Sequence, residues 1–257
     1  MKLTADCHMH SQFSCDSDEP IDSLCSAAVA MGLNVIAVTD HVDYYRNDHC
    51  YDYFRPFEYF EAIEAARKKY DGQLKILSGI EFSEPYRYAE EWKAYAGIKF
   101  DFMMGSVHQV AGYFISESLL LDKYGVEGVY EQYFAAMLEN VRAGGFDTLA
   151  HLDFPKRYIP KIDHIPYLED ILRELVRNNI ALEINTSSLR KGMDETIPSA
   201  ETLRAYRAMG GKRVTLGSDA HKAKDIATGF EAAGKMLDVI GGLTPGYFEK
   251  RRFIQEI

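Results

Sequence analysis

The segment that decides the fold is residues 6–17, with the sequence DCHMHSQFSCDS. It follows a short apolar opening at residues 1–5, which predicts a first β-strand. Residues two apart on a strand point the same way, so His8 and His10 would aim both imidazoles at one point where the strand ends. The loop that follows adds oxygen donors: Ser11, Ser14, Asp16 and Ser17. This segment predicts the beginning of a metal site that other parts of the chain must complete.

Length and composition favour one large domain over residues 1–257. The sequence has no linker-like or low-complexity tract, and its apolar content of 47% is typical of a globular protein. With 29 basic and 39 acidic residues, the net charge is −10. A negative chain is poorly suited to nucleic acid or to an anionic membrane surface, both of which require a basic face. We therefore expect a small-molecule partner, and the sequence leaves the oligomeric state open.

The termini and cysteines favour a cytoplasmic location. Residues 1–6 lack the apolar segment of a signal peptide, and the longest apolar runs are far too short to span a membrane. The cysteines lack CxxC spacing, so we expect free thiols in a reducing compartment at Cys7, Cys15, Cys25 and Cys50. Cys7 would alternate with His8 and face the surrounding helices, and Cys15 would be a bystander in the ligand-rich loop.

Strands and helices alternate along the chain, which predicts a parallel sheet covered by helices. The predicted strands are residues 1–5, 34–39, 74–80, 101–107, 148–150, 180–185 and 214–218, with a short extra strand possible at 113–115. The predicted helices are residues 17–32, 56–70, 84–97, 126–143, 166–178, 199–209 and 223–240. An open doubly wound sheet and a closed barrel both fit this alternation.

The strand ends favour the barrel. Six of the predicted strands end in metal-binding side chains: His8, His41, Glu81, His108, His151 and Asp219. In an open sheet such ends spread along a line, whereas in a barrel they surround one mouth. We therefore predict a distorted, TIM-like (β/α)7 barrel with a metal site at the C-terminal ends of its strands. Imidazoles and carboxylates are ligands that suit Zn, Fe and Mn. Two other histidines, His49 and His164, do not lie at predicted strand ends.

The ordered series of motifs resembles the polymerase-and-histidinol-phosphatase (PHP) superfamily, and within it the monofunctional histidinol-phosphate phosphatases. The resemblance extends from residue 6 to residue 221. It rests on His8-x-His10, Asp16, Thr39-Asp40-His41, Gly79-Ile80-Glu81, Gly105-Ser106-Val107-His108, His151 and Gly217-Ser218-Asp219-Ala220-His221.

The resemblance implies a distorted (β/α)7 barrel that holds three divalent metal ions. The first would be bound by His8, His10, Glu81 and Asp219, the second by Glu81, His108 and His151, and the third by Asp16, His41 and His221. Many superfamily members have His in place of Asp16. Because a carboxylate is a harder ligand, the third site would prefer Mn or Fe over Zn, or bind its metal more weakly.

A phosphate monoester is the substrate class that this resemblance implies. Metals about 3.5–4 Å apart can bind its oxygens and lower the pKa of a water molecule. The resemblance implies that Ser11, Arg157 and Arg190 bind the phosphate, and Arg can do so in bidentate fashion. A proton for the leaving alkoxide could come through Asp219 or His221, and the sequence does not choose between them.

The sequence thus predicts a metal-dependent phosphatase that hydrolyses L-histidinol phosphate in histidine biosynthesis. The alternatives are another PHP phosphoesterase, namely a small-nucleotide phosphatase or nuclease or a protein-tyrosine phosphatase, and a non-catalytic metal-binding regulator. The regulator would have lost ligands or arginines that are present here. A third alternative, a metal-dependent amidohydrolase, would usually require a lysine ligand at a strand end, and none of the predicted strands ends in lysine. Candidates for contact with the histidinol part are Asp43, Tyr44 and Glu84.

Overall fold

The computed structural model describes residues 1–256, and a mostly parallel sheet lies at its centre. The strands are β1 Ala5–Asp6, β2 Val35–Val42, β3 Lys75–Ser83, β4 Phe102–Ser106, β5 Gln109–Val110, β6 Tyr113–Phe114, β7 Thr148–Leu149, β8 Ala181–Asn185, β9 Arg213–Gly217, β10 Thr244–Glu249 and β11 Arg252–Gln255. The helices are α1 Ile21–Ala30, α2 Pro56–Lys69, α3 Ala89–Ala96, α4 Ser118–Ala143, α5 Ile165–Asn178, α6 Ser187–Arg190, α7 Ala200–Ala208 and α8 Phe230–Ile240. Short 3-10 turns lie at Phe154–Arg157 and Ala223–Asp225.

The sheet follows chain order, β1-β2-β3-β4-β7-β8-β9-β10-β11. Each neighbouring pair is parallel up to β10, and β10 and β11 form an antiparallel hairpin. Parallel neighbours need crossover connections, which the helices supply. The predicted α/β fold class is therefore confirmed, and all the C-terminal strand ends from β1 to β9 lie at one edge.

The first strand also contacts the seventh strand of this order, β9. The backbone N–H of Cys7 donates to the carbonyl of Leu216 over 2.7 Å, and that of Asp219 donates to the carbonyl of His8 over 2.8 Å. A parallel bridge joins Met9 to Ala220. These bonds bring the two ligand-bearing ends of the chain, near residues 8 and 219, side by side.

Two apolar clusters cover the two faces of the sheet. The larger lies between the strands and the helices. The smaller consists of short side chains from successive strands together with aromatic residues: Ala5, Cys7, Val35, Ala37, Leu77, Phe102, Met104, Ala150, Ala181 and Phe248. Cys7 therefore packs on the face opposite the helices, and the prediction that it faces them is wrong. The alternation itself holds, because Ala5 and Cys7 share this face; the prediction failed in which face of the strand meets the helices.

Helix boundaries differ from the predictions mainly at helix starts. Helix α1 begins after Pro20, which occupies its N-cap position, and α3 begins at Ala89 rather than at residue 84. The segment 223–240 divides into a 3-10 turn and α8, because Gly229 adopts φ +87° between them. The possible strand at 113–115 is present as β6, paired with β5. The β10–β11 hairpin was not predicted.

The cysteine prediction is wrong for one pair. Cys15 and Cys50 form a disulfide, with their Cα atoms 5.2 Å apart, whereas Cys7 and Cys25 are buried free thiols. The paired cysteines lie 35 positions apart in the sequence, which hides their proximity. The bond joins the ligand-rich loop to the segment after β2. Across residues 1–256, no helix is both long and apolar enough to cross a bilayer.

Candidate metal centre and phosphate pocket

Strand register brings the predicted metal ligands together. His41 on β2 pairs directly with Glu81 on β3, and Glu81 pairs in turn with Met104 on β4, four residues before His108. His8 and Asp219 approach each other through the β1–β9 hydrogen bonds. The nine predicted ligands therefore meet at the C-terminal edge of the sheet: His8, His10, Asp16, His41, Glu81, His108, His151, Asp219 and His221.

The first group of donor atoms is fully buried. His8 Nε2 lies 3.1 Å from His10 Nε2 and 3.1 Å from Glu81 Oε2, and His10 Nε2 lies 3.5 Å from Asp219 Oδ1. His10 turns its other nitrogen, Nδ1, to Ser14 Oγ at 3.1 Å. The Nε2 atoms thus converge with two carboxylates, as the two-residue spacing of the histidines predicts.

Glu81 connects the first group to a second one. Its Oε1 lies 2.8 Å from His151 Nε2 and 3.4 Å from His108 Nε2, while Oε2 faces His8. The Nε2 atoms of His108 and His151 are 3.3 Å apart. Ser83 Oγ lies 2.9 Å from Nδ1 of His108 and fixes the orientation of that ring. Glu81 therefore presents one oxygen to each of two clusters.

A third group lies nearer the surface. Asp16 Oδ2 is 2.9 Å from His221 Nε2 and 3.5 Å from His41 Nε2, and the His41 and His221 rings each stack on His10. Asp16, which was selected from the sequence by resemblance rather than by a strand end, is about one-third exposed. The disulfide between Cys15 and Cys50 constrains the backbone directly before Asp16.

The site is strongly polarised. Burial opposes ionisation of the carboxyl groups of Glu81 and Asp219, but the surrounding histidines outweigh it and hold both pKa values well below the usual range. Burial also opposes protonation of His8, yet Glu183, Glu81 and Asp219 raise its pKa well above the ordinary value. Burial and the neighbouring His221 and His41 rings lower the pKa of His10 to about 3. The ionised carboxylates of Glu81 and Asp219 thus lie beside imidazole rings whose pKa values are shifted in opposite directions, upward for His8 and downward for His10.

These donors fit divalent metal ions. Pairs of imidazole nitrogens approach one another at 3.1 and 3.3 Å, where two neutral acceptors would repel each other unless a proton or a cation lies between them. The donor set contains only imidazole nitrogens and carboxylate oxygens, which suit Zn, Mn and Fe. Several ligands use the ring nitrogen that is turned away from the cluster for a hydrogen bond, as metal-binding histidines do.

Two ligands have backbone conformations in the left-handed region. His151 has φ +24° and Asp219 has φ +53°. Such conformations cost of order 1–3 kcal/mol for residues other than glycine and persist when the surroundings impose them. Here the backbone N–H groups of both residues are held, that of His151 by Glu183 and that of Asp219 by His8.

A cavity of about 790 Å³ opens above the donor groups, and its wall is partly cationic. Arg157 Nη2 donates to Ser187 Oγ over 2.5 Å and to Asp219 Oδ2 over 3.2 Å, and the guanidinium lies over the Phe154 ring. Its Nε atom is buried and has no hydrogen-bond partner within residues 1–256. Arg190 donates to the carbonyls of Ser218 and Asp219 over 2.5 and 2.9 Å. Both arginines therefore border the metal-ligand cluster.

Ser11, for which the resemblance implies a role in phosphate binding, is hydrogen-bonded to Asp40 in this structure. Its hydroxyl donates to Asp40 Oδ2 over 2.7 Å, its backbone N–H donates to Asp40 Oδ1 over 2.5 Å, and the residue is fully buried. It is not among the residues that line the cavity in the described part of the chain. In this arrangement Ser11 anchors the loop at residues 11–17 to β2, and Arg157 and Arg190 line the cavity.

The remaining candidates divide between the cavity and other places. Asp43 lines the cavity, with Oδ2 3.7 Å from His41 Nδ1, and His49 lies at the rim with an exposed ring. Glu84 accepts the backbone N–H groups of His108 and Gln109. Tyr44 packs among aromatic residues beside Phe82. His164 is buried in a separate network with Asp153 at 3.3 Å.

The sequence reasoning missed two residues of this region. Lys191 adds a third cation to the cavity wall, and burial together with Arg157 lowers its pKa. It follows Arg190 directly, which is the signal that could have identified it. Glu183 lies in the middle of β8, fully buried, and accepts a hydrogen bond from His8. A charged residue in a buried strand was the signal in that case.

Comparison with known proteins shows the family of this chain. A model of the PHP domain matches residues 6–187. The probable histidinol-phosphatase of Clostridium acetobutylicum is 30% identical over 262 residues, covering 97% of this chain and 98% of the relative. The probable histidinol-phosphatase of Thermotoga maritima is 34% identical, with 90% of each chain covered.

A solved structure is also similar over its whole length. The histidinol phosphate phosphatase from Lactococcus lactis subsp. lactis, in complex with Zn, L-histidinol and phosphate, has a TM-score of 0.88 and 27% identity, and 98% of each chain is covered. The family predicted from the motif series is confirmed by these matches. The chain belongs to the PHP domain family.

Proposed function

We propose that this protein is a metal-dependent phosphomonoesterase that hydrolyses L-histidinol phosphate to L-histidinol and phosphate. The observation that carries the proposal is the cavity itself, which is lined by seven of the nine predicted metal ligands and by three cations, Arg157, Arg190 and Lys191. The match to a phosphatase that binds Zn, L-histidinol and phosphate supports the same chemistry.

The nine ligands would bind three divalent ions as the resemblance implies, with Glu81 shared between two of them. Their donor atoms support this count, because eight of the nine residues fall into three overlapping groups: His8, His10 and Asp219; His41, Glu81 and His108; and His10, Asp16, His41 and His221. The ninth, His151, has its Nε2 2.8 Å from Glu81 Oε1. When bound, such ions supply Lewis acidity toward the phosphate and lower the pKa of a water molecule. Zn is the ion in the similar structure, and the carboxylate of Asp16 leaves Mn and Fe as candidates for the outer group.

The chain's own groups would orient the ester. Arg157 and Arg190 would bind the phosphoryl oxygens from the part of the cavity wall that borders the ligand cluster. The Nε of Arg157, which has no hydrogen-bond partner within residues 1–256, is a donor for one of these oxygens. Negative charge that grows on the equatorial oxygens is stabilised by cations already in place. A proton for the departing alkoxide would come through Asp219 or His221, both of which line the cavity.

The overall architecture is part of the proposal. We infer that the parallel strands close into a distorted (β/α)7 barrel formed by one domain, residues 1–257. The β1–β9 hydrogen bonds and the small inner apolar cluster support closure. Action on a small phosphate ester is supported by the names of the relatives, and we infer that it takes place in the cytoplasm, within histidine biosynthesis.

A phosphate-release screen tests the function. The purified protein is supplied with L-histidinol phosphate, nucleoside monophosphates and phosphotyrosine, before and after treatment with a chelator. We expect hydrolysis of histidinol phosphate in preference to the others, loss of activity on chelation and recovery with Zn²⁺ or Mn²⁺. Full activity in the metal-free protein would refute the mechanism, and preference for a nucleotide or phosphotyrosine would refute the substrate.

A further inference from the structure

We propose that Glu183 is a positioning residue that fixes the tautomer of His8 and thereby sets the affinity of the first metal site. The inference rests on the proposed function, because it concerns the same site. It begins from the location of Glu183 in the middle of β8, where its exposed fraction is 0%.

A carboxylate in the interior of a sheet is costly unless hydrogen bonds compensate for its lost hydration. Both oxygens of Glu183 are used. Oε1 accepts from His8 Nδ1 over 2.6 Å, and Oε2 accepts from the backbone N–H of His151 over 2.7 Å. The amide of Asn185 lies 3.4 Å from each oxygen. One side chain therefore holds a ring nitrogen of one ligand and the backbone of another.

The surrounding backbone leaves space for this carboxylate. A Cβ atom at Gly217 on the neighbouring strand β9 would collide with Glu183 Oε1 and with the His8 side chain. Residue 217 must therefore be glycine for the Glu183–His8 contact to form. A packing role alone would be met by an apolar side chain at position 183, without this constraint.

The hydrogen bond decides which nitrogen of His8 can bind a metal. When Nδ1 donates its proton to Glu183, the lone pair of the neutral ring lies on Nε2. Nε2 is the atom that faces His10, Glu81 and Asp219. A metal that binds displaces a proton from the ring, and because Nδ1–H is held by Glu183, it is Nε2 that becomes free for the metal.

Replacement of Glu183 by glutamine separates this role from packing. The amide has the same shape but only one acceptor oxygen, so it cannot accept from both His8 Nδ1–H and the His151 N–H. If the oxygen serves His151, the amide group turns toward His8 and favours the tautomer with the proton on Nε2. We expect Glu183→Gln to remain folded and to bind the first Zn²⁺ about 10–100-fold more weakly.

The experiment is a Zn²⁺ titration of metal-free protein against a chromogenic chelator, without substrate. Asp147→Asn is the matched control, because Asp147 is also a buried carboxylate that accepts a backbone N–H, from Met103, but it pairs with Arg251 away from the ligands. We expect wild-type affinity in the control. Wild-type affinity for every Zn²⁺ in folded Glu183→Gln would overturn the proposal.

A measurement on the wild-type protein covers the case in which the variant does not fold. Nitrogen-15 NMR of the Zn²⁺-loaded chain, with the His8 signal assigned through its loss in His8→Gln, should show a proton on Nδ1. A proton on Nε2 would overturn the proposal. Because neither readout uses substrate, a Zn²⁺-binding wild-type protein that fails to hydrolyse histidinol phosphate would refute the proposed function alone.

Discussion

Arg157 is the residue at which the proposed phosphate site can be tested most directly. Its side chain is 6% exposed, lies over Phe154 and connects Asp219 to the cavity. We predict that Arg157→Ala lowers kcat/KM for histidinol phosphate by about two to three orders of magnitude.

The magnitude follows from the contacts that the change removes. A hydrogen bond to a charged group is worth about 1.5–3 kcal/mol, and a guanidinium can offer two to a phosphate. Arg190 and Lys191 remain in the wall and compensate in part, so we take a net loss of about 3–4 kcal/mol. At about 1.4 kcal/mol per tenfold, this corresponds to a factor of roughly 10²–10³.

Steady-state phosphate release gives kcat and KM separately. Loss of a contact formed equally in the bound ester and in the transition state raises KM, whereas loss of one that strengthens in the transition state lowers kcat. Arg157→Lys keeps the charge without the planar fork and should recover only part of the loss. Arg177→Ala, which removes an exposed arginine on α5, serves as the control and should behave as wild type.

Zinc content and circular dichroism must be measured for each variant, because Arg157 also contacts the ligand Asp219 over 3.2 Å. A folded Arg157→Ala protein with wild-type metal content and unchanged kcat and KM would show that this arginine does not bind the phosphate. The same result for Arg190→Ala would remove the cationic wall from the mechanism.

Two further predictions concern Asp16 and His164. Asp16→His replaces the carboxylate that lies 2.9 Å from His221 Nε2. When the protein is loaded from an equimolar mixture of Zn and Mn, we expect this variant to bind a higher ratio of Zn to Mn than the wild type. Identical metal content would show that Asp16 is not a ligand. For His164, burial lowers the pKa of the ring, but the hydrogen bond to Asp153 outweighs burial and raises the pKa above its ordinary value of 6.5. Its ion pair therefore contributes stability that is fully present below about pH 6.5 and is lost as the pH rises through the raised value. Urea unfolding at pH 6 and pH 9 should show that the free energy of unfolding of the wild-type protein falls between these two pH values. We expect a smaller fall in His164→Asn and the wild-type fall in the control His49→Asn, which changes an exposed ring. An equal fall in all three proteins would contradict this prediction.

Local patterns predicted most of the fold and the ligands. The short apolar runs predicted parallel strands because a strand covered on both faces has no polar side to show. Ligands at strand ends could be located because a strand end is a local feature, and parallel strands bring all such ends to one edge. His41 and Glu81 illustrate this, since they lie directly opposite each other on β2 and β3.

Helix starts and the end of the chain were predicted less well. No side-chain cap at the start of α1 is present in the described residues, and Pro20 occupies that position instead. The β10–β11 hairpin contains Pro and Gly within β10, which weaken the pattern of a strand. Phe248 of β10 packs in the smaller apolar cluster, and this contact depends on side chains from five other strands.

By itself the sequence determined the α/β class, the family and which His, Asp and Glu side chains gather at one edge of the sheet, because spacing along a strand and order along the chain are local properties. Only the tertiary structure decided which partners those side chains meet. Ser11 is committed to Asp40, Cys15 is bonded to Cys50, and Glu183 lies behind His8. Each of these contacts joins residues 29 or more positions apart, and such pairing follows from strand register and packing rather than from the residues themselves. The segment at residues 6–17 thus supplies the first ligands, while the rest of the fold decides how they are oriented.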